Sequence, residues 1–499
     1  MRRQYFLDQT TTPLFDALRK FEDWAPTPFF IPSHKMGEAV HPEFLSFLGE
    51  NVFRLDISEV RWADDLHSPS AAIKEAQELA ADAWGAERSF FLVNGTTGGV
   101  IAAVCAVCGE GDRIIVPRNA HTSTVYGLVI SGAEPVYVMP EIDNERGLVC
   151  GFSPETLQRV FKEYPDAKAV VTVSPTFQGI VSDIASLSEI AHRQGAVFIA
   201  DEAHGNHVYF NDRLPLGALE LGADIVCQSI HKMSGSFTQS SILQIGQGGV
   251  GCIDIDKLRA NLKMVQSTSP SYLLMASIDA ARSYIATQGE ALLDGALDAL
   301  ENARESLAGF EGIYTLGSEI KGQFGVFDYE PTRLVLSAKG LGLSGIDLFK
   351  LLREEYDIEC DFADPNWCYC LAGIGTTAAH TEALTSALAE IAKEHRALKP
   401  PLVSDLSSPE ARPLLPPVPP LRMTPREAWF AEKEAAPFEE ARGRISAELV
   451  VPYPPGIPIL CPGEIITSEV HEYLNEQRRK GVRLHCAAGD GLETLKVVK

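Results

Sequence analysis

No apolar run in the sequence is long enough to cross a bilayer. The stretch from Gly99 to Gly109 is too short for a membrane-spanning helix, and the amino terminus carries basic residues without the apolar segment of a secretory signal. We therefore expect a soluble protein that is neither exported nor embedded in a membrane, and we place it in the cytoplasm.

Basic residues are scarce relative to acidic ones. The 43 lysine and arginine residues against 67 aspartate and glutamate residues give a net charge of −24. Such a charge disfavours a nucleic acid or an anionic membrane as the main partner, because both would be repelled. It suits a small cationic substrate, or it serves solubility alone.

The cysteines lack the spacing of a metal site. The 10 cysteines are scattered singly or as the pairs Cys105/Cys108 and Cys368/Cys370, and no second CxxC follows at ribbon spacing. The sequence therefore predicts reduced thiols in a cytoplasmic protein and no bound metal.

Composition and periodicity predict five segments. Residues 1–40, rich in aromatics and proline, suit an arm over another subunit. Residues 41–280 alternate helical stretches with short β-rich runs, which predicts a mostly parallel sheet covered on both faces. Residues 281–397 suggest a smaller α+β domain, residues 398–424 a proline-rich linker, and residues 425–499 a C-terminal α+β domain that opens with the helix-prone PREAWFAEKEAAPFEEA.

One lysine follows a predicted buried strand. In DIVCQSIHKMSGSF, Lys232 comes after the strand and before a run of small hydroxyl residues. A lysine at the carboxyl edge of a buried sheet is desolvated, which lowers its pKa and makes it a candidate Schiff-base amine. Alternatively, the side chain reaches solvent from an ordinary strand end.

Three further strand ends carry suitable chemistry. Asp201 ends the strand AVFIAD and could hold a pyridinium nitrogen protonated, as pyridoxal phosphate requires, or could cap a helix. The turn in FFLVNGTTGGV could seat a phosphate on backbone N–H groups, although it is neither a Walker A nor a GxGxxG motif. His121, after the strand DRIIVP, could stack on a planar cofactor or lie at the surface.

The order and spacing of these segments resemble a known family. GTTGG, RNAH, SPTFQG, DEAHG and SIHK, with DDLHSP, MPEIDNERG, STSPSYLLMASIDAAR and VPYPPGIPILCPGE, resemble the pyridoxal-phosphate-dependent ornithine/lysine/arginine decarboxylases of fold type I over nearly the whole chain. The likeness is greatest to the short biosynthetic arginine decarboxylases of bacteria, which lack an amino-terminal response-regulator-like domain. The resemblance implies an α/β large domain with a mostly parallel seven-stranded sheet, a smaller α+β domain and a C-terminal α+β domain. It also implies a homodimer or higher homo-oligomer with the active site at the subunit interface.

The resemblance further implies roles for individual residues. Lys232 would bind the cofactor carbonyl covalently, Asp201 would pair with the pyridine nitrogen, and His121 would stack on the ring with Ala203 on its other face. The remaining cofactor contacts would be Thr96, Thr97, Gly98, Ser229 and His231 at the phosphate, and Thr268 of the STS segment, which would reach a neighbouring subunit's phosphate.

The implied reaction is decarboxylation of a basic amino acid. Arginine, giving agmatine and CO₂ for polyamine biosynthesis, leads over lysine and ornithine. His231, Lys232 or a water could return the proton to Cα. A cationic head group needs a carboxylate, for which Glu464 is the first candidate and Asp361 and Asp364 are the others, unless these acids serve as turn or cap residues.

The sequence departs from the usual family pattern at two positions, and other functions are compatible with the same residues. Ser33 stands in PSHK where the family usually has glycine, and Thr122 stands where many members have lysine. An aminotransferase or an oxidase of fold type I would share the lysine and the aspartate, with Arg333 as the nearest arginine for a substrate α-carboxylate. A non-catalytic paralogue that binds the true enzyme is a different class, which the joint presence of Lys232, Asp201 and His121 disfavours.

Overall fold

The computed structural model describes residues 4–249, 251–395, 414–453, 456–486 and 492–499. Most of the predicted linker, residues 398–413, therefore lies outside the described residues. None of the helices in the described ranges is both long and apolar enough to cross a membrane. The helices are α1 (Pro13–Trp24), α2 (Pro42–Leu48), α3 (Glu50–Leu55), α4 (Ala72–Trp84), α5 (Gly95–Val107), α6 (Thr122–Ser131), α7 (Pro154–Glu163), α8 (Ile184–Arg193), α9 (Ile230–Met233), α10 (Ile255–Val265), α11 (Tyr272–Ala308), α12 (Gly345–Tyr356), α13 (Ala378–His395), α14 (Pro425–Phe430) and α15 (Ser468–Arg479).

The largest sheet has seven strands, in the order β1-β10-β9-β8-β6-β2-β3. β2 pairs in parallel with β3 and β6, and β8 pairs in parallel with β9, whereas β10 is antiparallel to both β9 and β1. This mostly parallel sheet with its helices confirms the predicted α/β class. Its strands are β1 (Arg88–Leu92), β2 (Arg113–Pro117), β3 (Glu134–Val138), β6 (Ala169–Val173), β8 (Val197–Asp201), β9 (Ile225–Ser229) and β10 (Ser241–Ile245).

Local sequence signals start several of the helices at the predicted loops. Ser153 caps α7 through the Thr156 N–H, Asp183 caps α8, and Ser344 forms a capping box with Asp347 at the start of α12. Each cap satisfies backbone donors that have no partner within the helix. These caps fix where the polar loops leave the sheet and where the helices begin.

The chain divides into two units, residues 1–106 with 199–293 and residues 107–198 with 294–499. In the first unit, the amino-terminal arm packs against its own chain. Arg282 of α11 donates to the carbonyls of Gln9 and Thr11, and its partner Asp279 accepts from the Leu14 N–H. The ion pair between Asp279 and Arg282 is fully buried, so it fixes the arm to α11.

The second unit contains the smaller sheets. A four-stranded sheet, in the order β11-β13-β15-β14, packs with α12 and α13 around a core that includes Leu336, Leu348 and Leu388. Its strands are β11 (Tyr314–Thr315), β13 (Arg333–Ser337), β14 (Phe362–Ala363) and β15 (Cys368–Leu371), and short pairs form between β4 (Ile142–Asp143) and β5 (Leu148–Val149) and between β7 (Ile180–Val181) and β12 (Asp328–Tyr329).

The carboxyl-terminal residues form a further core around Phe438, Val470 and Leu495, and Val149 of β5 belongs to the same core. The helix expected over PREAWFAEKEAAPFEEA is only partly present, because α14 ends at Phe430. The following residues form a strand whose Ala436 is buried in that core, so pairing overrides helix propensity. The strands here are β16 (Lys433–Pro437), paired with β19 (Thr494–Val498), and β17 (Val451–Tyr453), paired with β18 (Arg483–His485).

Candidate active site

A buried carboxylate lies at the carboxyl end of β8. Asp201 pairs in register with Cys227 of β9, and its side chain is only 4% exposed. The side chain accepts a hydrogen bond from the backbone N–H of Ala203 at 3.2 Å. Within the described ranges, Asp201 forms no ion pair with a lysine, arginine or histidine. Burial of an unpaired carboxylate is costly, so this residue suits contact with a cationic group.

The candidate lysine lies one helical turn beyond β9. Lys232 belongs to α9, and its Nζ is 3.0 Å from Nε2 of His204, which lies in the loop after Asp201. The side chain of Lys232 is exposed, so the expectation of a desolvated amine is wrong for the single chain. An exposed amine remains accessible to a carbonyl compound from solution.

Three hydroxyl groups meet at the start of α5. Thr96 Oγ1 lies 2.6 Å from Ser229 Oγ and donates to Ser241 Oγ at 3.1 Å. All three side chains are buried. Together with the backbone N–H groups of the first turn of α5, they form a polar region in the first unit that can accept an anion.

Two glycines follow in that turn, and one of them is crowded. A Cβ at Gly99 would lie 2.6 Å from Leu92 Cδ1 and 3.3 Å from Cys227 Sγ, whereas a Cβ at Gly98 would meet nothing closer than 3.4 Å. Gly99 therefore permits close packing of α5 on β1 and β9. Thr97 is exposed between the strand end and these glycines.

The loop after β9 is held by side-chain hydrogen bonds. Asn206 donates to the Ser229 carbonyl at 2.6 Å and accepts from Ser234 Oγ at 2.5 Å. His231 Nδ1 lies 2.7 Å from the Ser240 carbonyl, and burial lowers the pKa of His231. These hydrogen bonds hold the chain at Ser229, before Lys232, and at Ser234 and Ser240, after it.

A second acid of the DEAHG segment is also buried. Glu202 accepts from Tyr209 Oη at 2.6 Å, from Gln228 Nε2 at 2.7 Å and from the Ala218 N–H at 2.8 Å. Burial raises the pKa of Glu202 to about 8 despite these donors. The network ties the loop after β8 to β9, beside Asp201.

His121 belongs to the second unit. It caps α6, accepting from the Ser123 N–H at 3.2 Å with Nδ1 2.8 Å from Ser123 Oγ, and its side chain is exposed. Thr122 is the first residue of α6. His121 therefore lies in the loop between β2 and α6, and the cap fixes the position of its ring at the start of α6.

The first candidate for the substrate head group is fully engaged elsewhere. Glu464 is 0% exposed, and its carboxylate accepts from Nη1 of Arg118 at 2.7 Å and from Nη2 at 2.8 Å. The Cys461 N–H donates to the same carboxylate, and Arg118 also donates to the Ile459 carbonyl at 2.6 Å. Glu464 therefore has no exposed oxygen for a substrate in this arrangement.

The other two candidate acids lie next to β14 and β15. Asp364 accepts from the N–H groups of Asn366 and Trp367 and from Tyr369 Oη, and is half-buried, so it has the role of a turn residue. Asp361 is exposed. Of the three acids named from the sequence, Asp361 is the one with an exposed side chain.

Three other residues named from the sequence differ in their exposure. Arg333 is 0% exposed, with Nη1 3.5 Å from Glu330 Oε2 and 3.2 Å from Thr332 Oγ1. Thr268, between α10 and α11, is exposed. Ser33 is exposed as well, in the amino-terminal arm.

Two family profiles match this chain. The Orn/Lys/Arg decarboxylase major domain matches residues 12–340, and the Orn/Lys/Arg decarboxylase C-terminal domain matches residues 413–484. The chain belongs to the Orn/Lys/Arg decarboxylase family. It is 42% identical over 493 residues to the arginine decarboxylase of Bacillus subtilis, covering 99% of each chain. It is 40% identical over 494 residues to the arginine decarboxylase of Halalkalibacterium halodurans, covering 98% of each.

Solved structures agree on the fold. Lysine decarboxylase A from Pseudomonas aeruginosa superposes with a TM-score of 0.83 at 22% identity, covering 98% of this chain and 81% of that one. Lysine decarboxylase LdcF from Francisella novicida gives a TM-score of 0.82 at 21% identity. The predicted fold type I architecture of this family member is thereby confirmed.

Sequence reasoning missed several residues of the site. The segment DEAHGNH, which begins with Asp201, also contains Glu202, His204 and Asn206. Ser241 is the first residue of β10. The cluster of ionisable and amide residues after a buried strand was the signal for the first three. Ser241 gave no signal, because it stood in a run of hydroxyl residues that resembled a loop.

Proposed function

We propose that the protein is a cytoplasmic, pyridoxal-phosphate-dependent decarboxylase that converts L-arginine to agmatine and CO₂ for polyamine biosynthesis. The similarity to two bacterial arginine decarboxylases over nearly the full length of all three chains carries this proposal. All 10 cysteines lie in the described residues as thiols outside disulfide bonds, which is compatible with a reducing compartment.

The residues of the first unit fit the cofactor. Asp201 is a buried carboxylate without a cationic partner in the described chain, and a protonated pyridine nitrogen would supply that partner. The hydroxyls of Thr96, Ser229 and Ser241 at the start of α5 suit a phosphate. Lys232 presents an accessible amine. Bound pyridoxal phosphate supplies an electron sink for the bond to the departing carboxylate.

We assign the binding of the cofactor and the proton transfers to individual residues of the chain. Asp201 would hold a proton on the ring nitrogen, and His121 and Ala203 would enclose the ring. Thr97, Gly98 and His231 would complete the phosphate contacts on one subunit. With Nζ beside His204, Lys232 can exchange a proton with that imidazole, so His204 joins His231 and water as a candidate for returning the proton to Cα.

We propose that the active site is completed in a homodimer or higher homo-oligomer. Lys232, His121 and Thr268 are all exposed in the single chain, although a decarboxylase must exclude water from its reacting groups. The amino-terminal part of the chain also exposes large aromatic side chains, with Phe29 at 94% and Phe47 at 87%. Such exposure is typical of a surface that another subunit covers.

The substrate head group is proposed to meet an acidic side chain. Glu464 is buried and Asp364 is half-buried, whereas Asp361 is exposed, so we take Asp361 as the first member of the predicted set to test. The rival aminotransferase would need an accessible arginine, but Arg333 is buried beside Glu330. This burial disfavours the aminotransferase as the second candidate.

The test is an assay of the purified protein with pyridoxal phosphate against arginine, lysine and ornithine separately, scoring amine, CO₂ and peroxide. We expect agmatine and CO₂ in equal amounts from arginine, lost in Lys232→Ala and retained in the matched control Lys263→Ala, an exposed lysine of α10. Cadaverine or putrescine as the main product would show that lysine or ornithine is the substrate and would leave the proposed decarboxylation mechanism unchanged. Peroxide or an oxoacid without agmatine would overturn the decarboxylase proposal.

A further inference from the structure

Three cysteines converge in the second unit, beside β14 and β15. The Sγ atoms of Cys360, Cys368 and Cys370 all lie within 4.8 Å of one another, and those of Cys360 and Cys370 are 3.4 Å apart. The spacing of Cys368 and Cys370 alone had predicted no metal. The third thiol comes from the segment that leads into β14.

Strand pairing creates this cluster. Cys368 and Cys370 are two residues apart on β15, so their side chains point to the same face of the sheet. Cys360 lies two residues before β14, which pairs antiparallel with β15. The face belongs to the core formed with α12 and α13, where Cys360 is 6% exposed and Cys368 is fully buried. The third member, Cys370, is partly exposed.

The sulfur positions match the coordination geometry of a thiophilic ion. A tetrahedral zinc site with Zn–S bonds of about 2.3 Å has neighbouring sulfurs about 3.8 Å apart. The observed separations, from 3.4 Å to at most 4.8 Å, bracket this value. Thiols that only fill an apolar core need no such mutual approach.

The three thiols also interact with one another directly. The neighbouring thiols of Cys368 and Cys370 donate towards the sulfur of Cys360 and thereby lower its pKa below the ordinary value. A thiolate is the form that binds metal, so an incoming ion would displace the protons that the three thiols share.

We propose that Cys360, Cys368 and Cys370 form a binding site for a thiophilic divalent ion of the zinc type. The three sulfurs would occupy three tetrahedral positions, and the fourth would face the partly exposed side of Cys370, where a small external ligand can enter. Binding would release the thiol protons and cross-link β14 to β15, so it would stabilise the smaller sheet. The inference is independent of the decarboxylase activity.

The experiment uses untagged, pyridoxal-phosphate-loaded protein, purified under reducing, oxygen-free conditions and treated with a chelator. Cobalt(II) is then added as a spectroscopic probe. We expect visible d–d bands with the intensity of a tetrahedral thiolate site, saturating at one cobalt per chain and abolished by zinc. The cofactor has no such bands at the red end of the spectrum, so the two signals do not overlap.

Variants assign the bands to the cluster. Cys370→Ser, the least buried change, should weaken cobalt binding by about 100-fold or more, since a direct ligand contributes at least as much as its supporting contacts. Cys360→Ser provides a second test if one variant folds poorly. Cys252→Ser removes an exposed cysteine of the first unit and should leave the bands unchanged.

The proposal is overturned if wild-type protein gives no thiolate-type bands, or if the bands persist in both cluster variants. It is also overturned if the reduced thiols take up no cobalt or zinc and air merely links Cys360 to Cys370 as a disulfide. Agmatine formation in the same preparations reports separately on the proposed decarboxylase, so failure of one proposal does not mimic failure of the other.

Discussion

Replacing Glu464 by glutamine should destabilise the protein rather than weaken substrate binding alone. The variant keeps the shape of the side chain but removes the charge opposite Arg118, whose guanidinium is only 4% exposed. The arginine would retain the Ile459 carbonyl and its position over the Tyr137 ring, 5.0 Å from the centroid, and neither neutralises its charge. Breaking a buried pair from one side costs about 3–5 kcal/mol.

A loss of this size corresponds to a decrease in melting temperature of about 10 °C, at about 2–4 °C for each kcal/mol in a unit of a few hundred residues. The assay is thermal unfolding at saturating pyridoxal phosphate, with Glu440→Gln, which changes an exposed acid of the C-terminal region, as the matched control. A Glu464→Gln protein that melts within about 2 °C of wild type but has a raised KM for arginine would refute this reasoning. It would restore Glu464 as a substrate contact.

Three further changes test other parts of the structure. Asp279→Asn leaves the buried Arg282 unpaired and should cost about 3–5 kcal/mol, seen as faster proteolysis of the amino-terminal arm; an unchanged cleavage rate would contradict the arm's attachment. Gly99→Ala places a methyl group 2.6 Å from a side chain of β1 and should cost about 1–3 kcal/mol in urea unfolding, whereas Gly98→Ala should cost less; equal losses would contradict the packing argument. Glu202, with its pKa raised to about 8 from an ordinary 4.5, binds a proton more tightly in the folded state, so it stabilises the fold at low pH and this contribution is lost as the pH rises through 8. Relative to the non-titrating Glu202→Gln variant, wild-type stability should therefore fall by about 3 kcal/mol between pH 5.5 and pH 8, and a pH-independent difference would contradict the raised pKa.

The sequence predicted the residues that lie at strand ends. Asp201 and Lys232 each follow a continuous apolar run, and the carboxyl ends of neighbouring parallel strands must meet at one edge of a sheet. Chain order alone therefore brings these residues into one region. The same logic correctly predicted an α/β fold with a smaller α+β domain.

The strand β10 does not show the hydrophobic pattern that is typical of a buried strand. β10 is fully buried but begins with Ser241 and contains Gln244, whose side chain accepts from Ser89 and donates to Gln228 at 3.2 Å. These amide and hydroxyl groups satisfy one another across strands, so the core tolerates polar residues there. A hydrophobicity pattern cannot anticipate a partner that is more than 100 residues away in the chain.

The same limit explains why the partners of the candidate acidic residues could not be predicted from the sequence. A carboxylate such as Glu464 can bind a ligand when it faces solvent, but it forms an internal ion pair when it lies beside a buried arginine. Arg118 and Glu464 are 346 positions apart in the sequence, so the sequence does not show this pair. Cys360 and Cys370 likewise become a cluster only when β14 pairs with β15. The order of the strands determines at which edge of the sheet each strand ends. The charge state of a side chain, and its ability to bind a ligand, depend instead on which distant segment packs against it. The position of a residue at a strand end is therefore predictable from sequence, and a contact between two distant side chains is not.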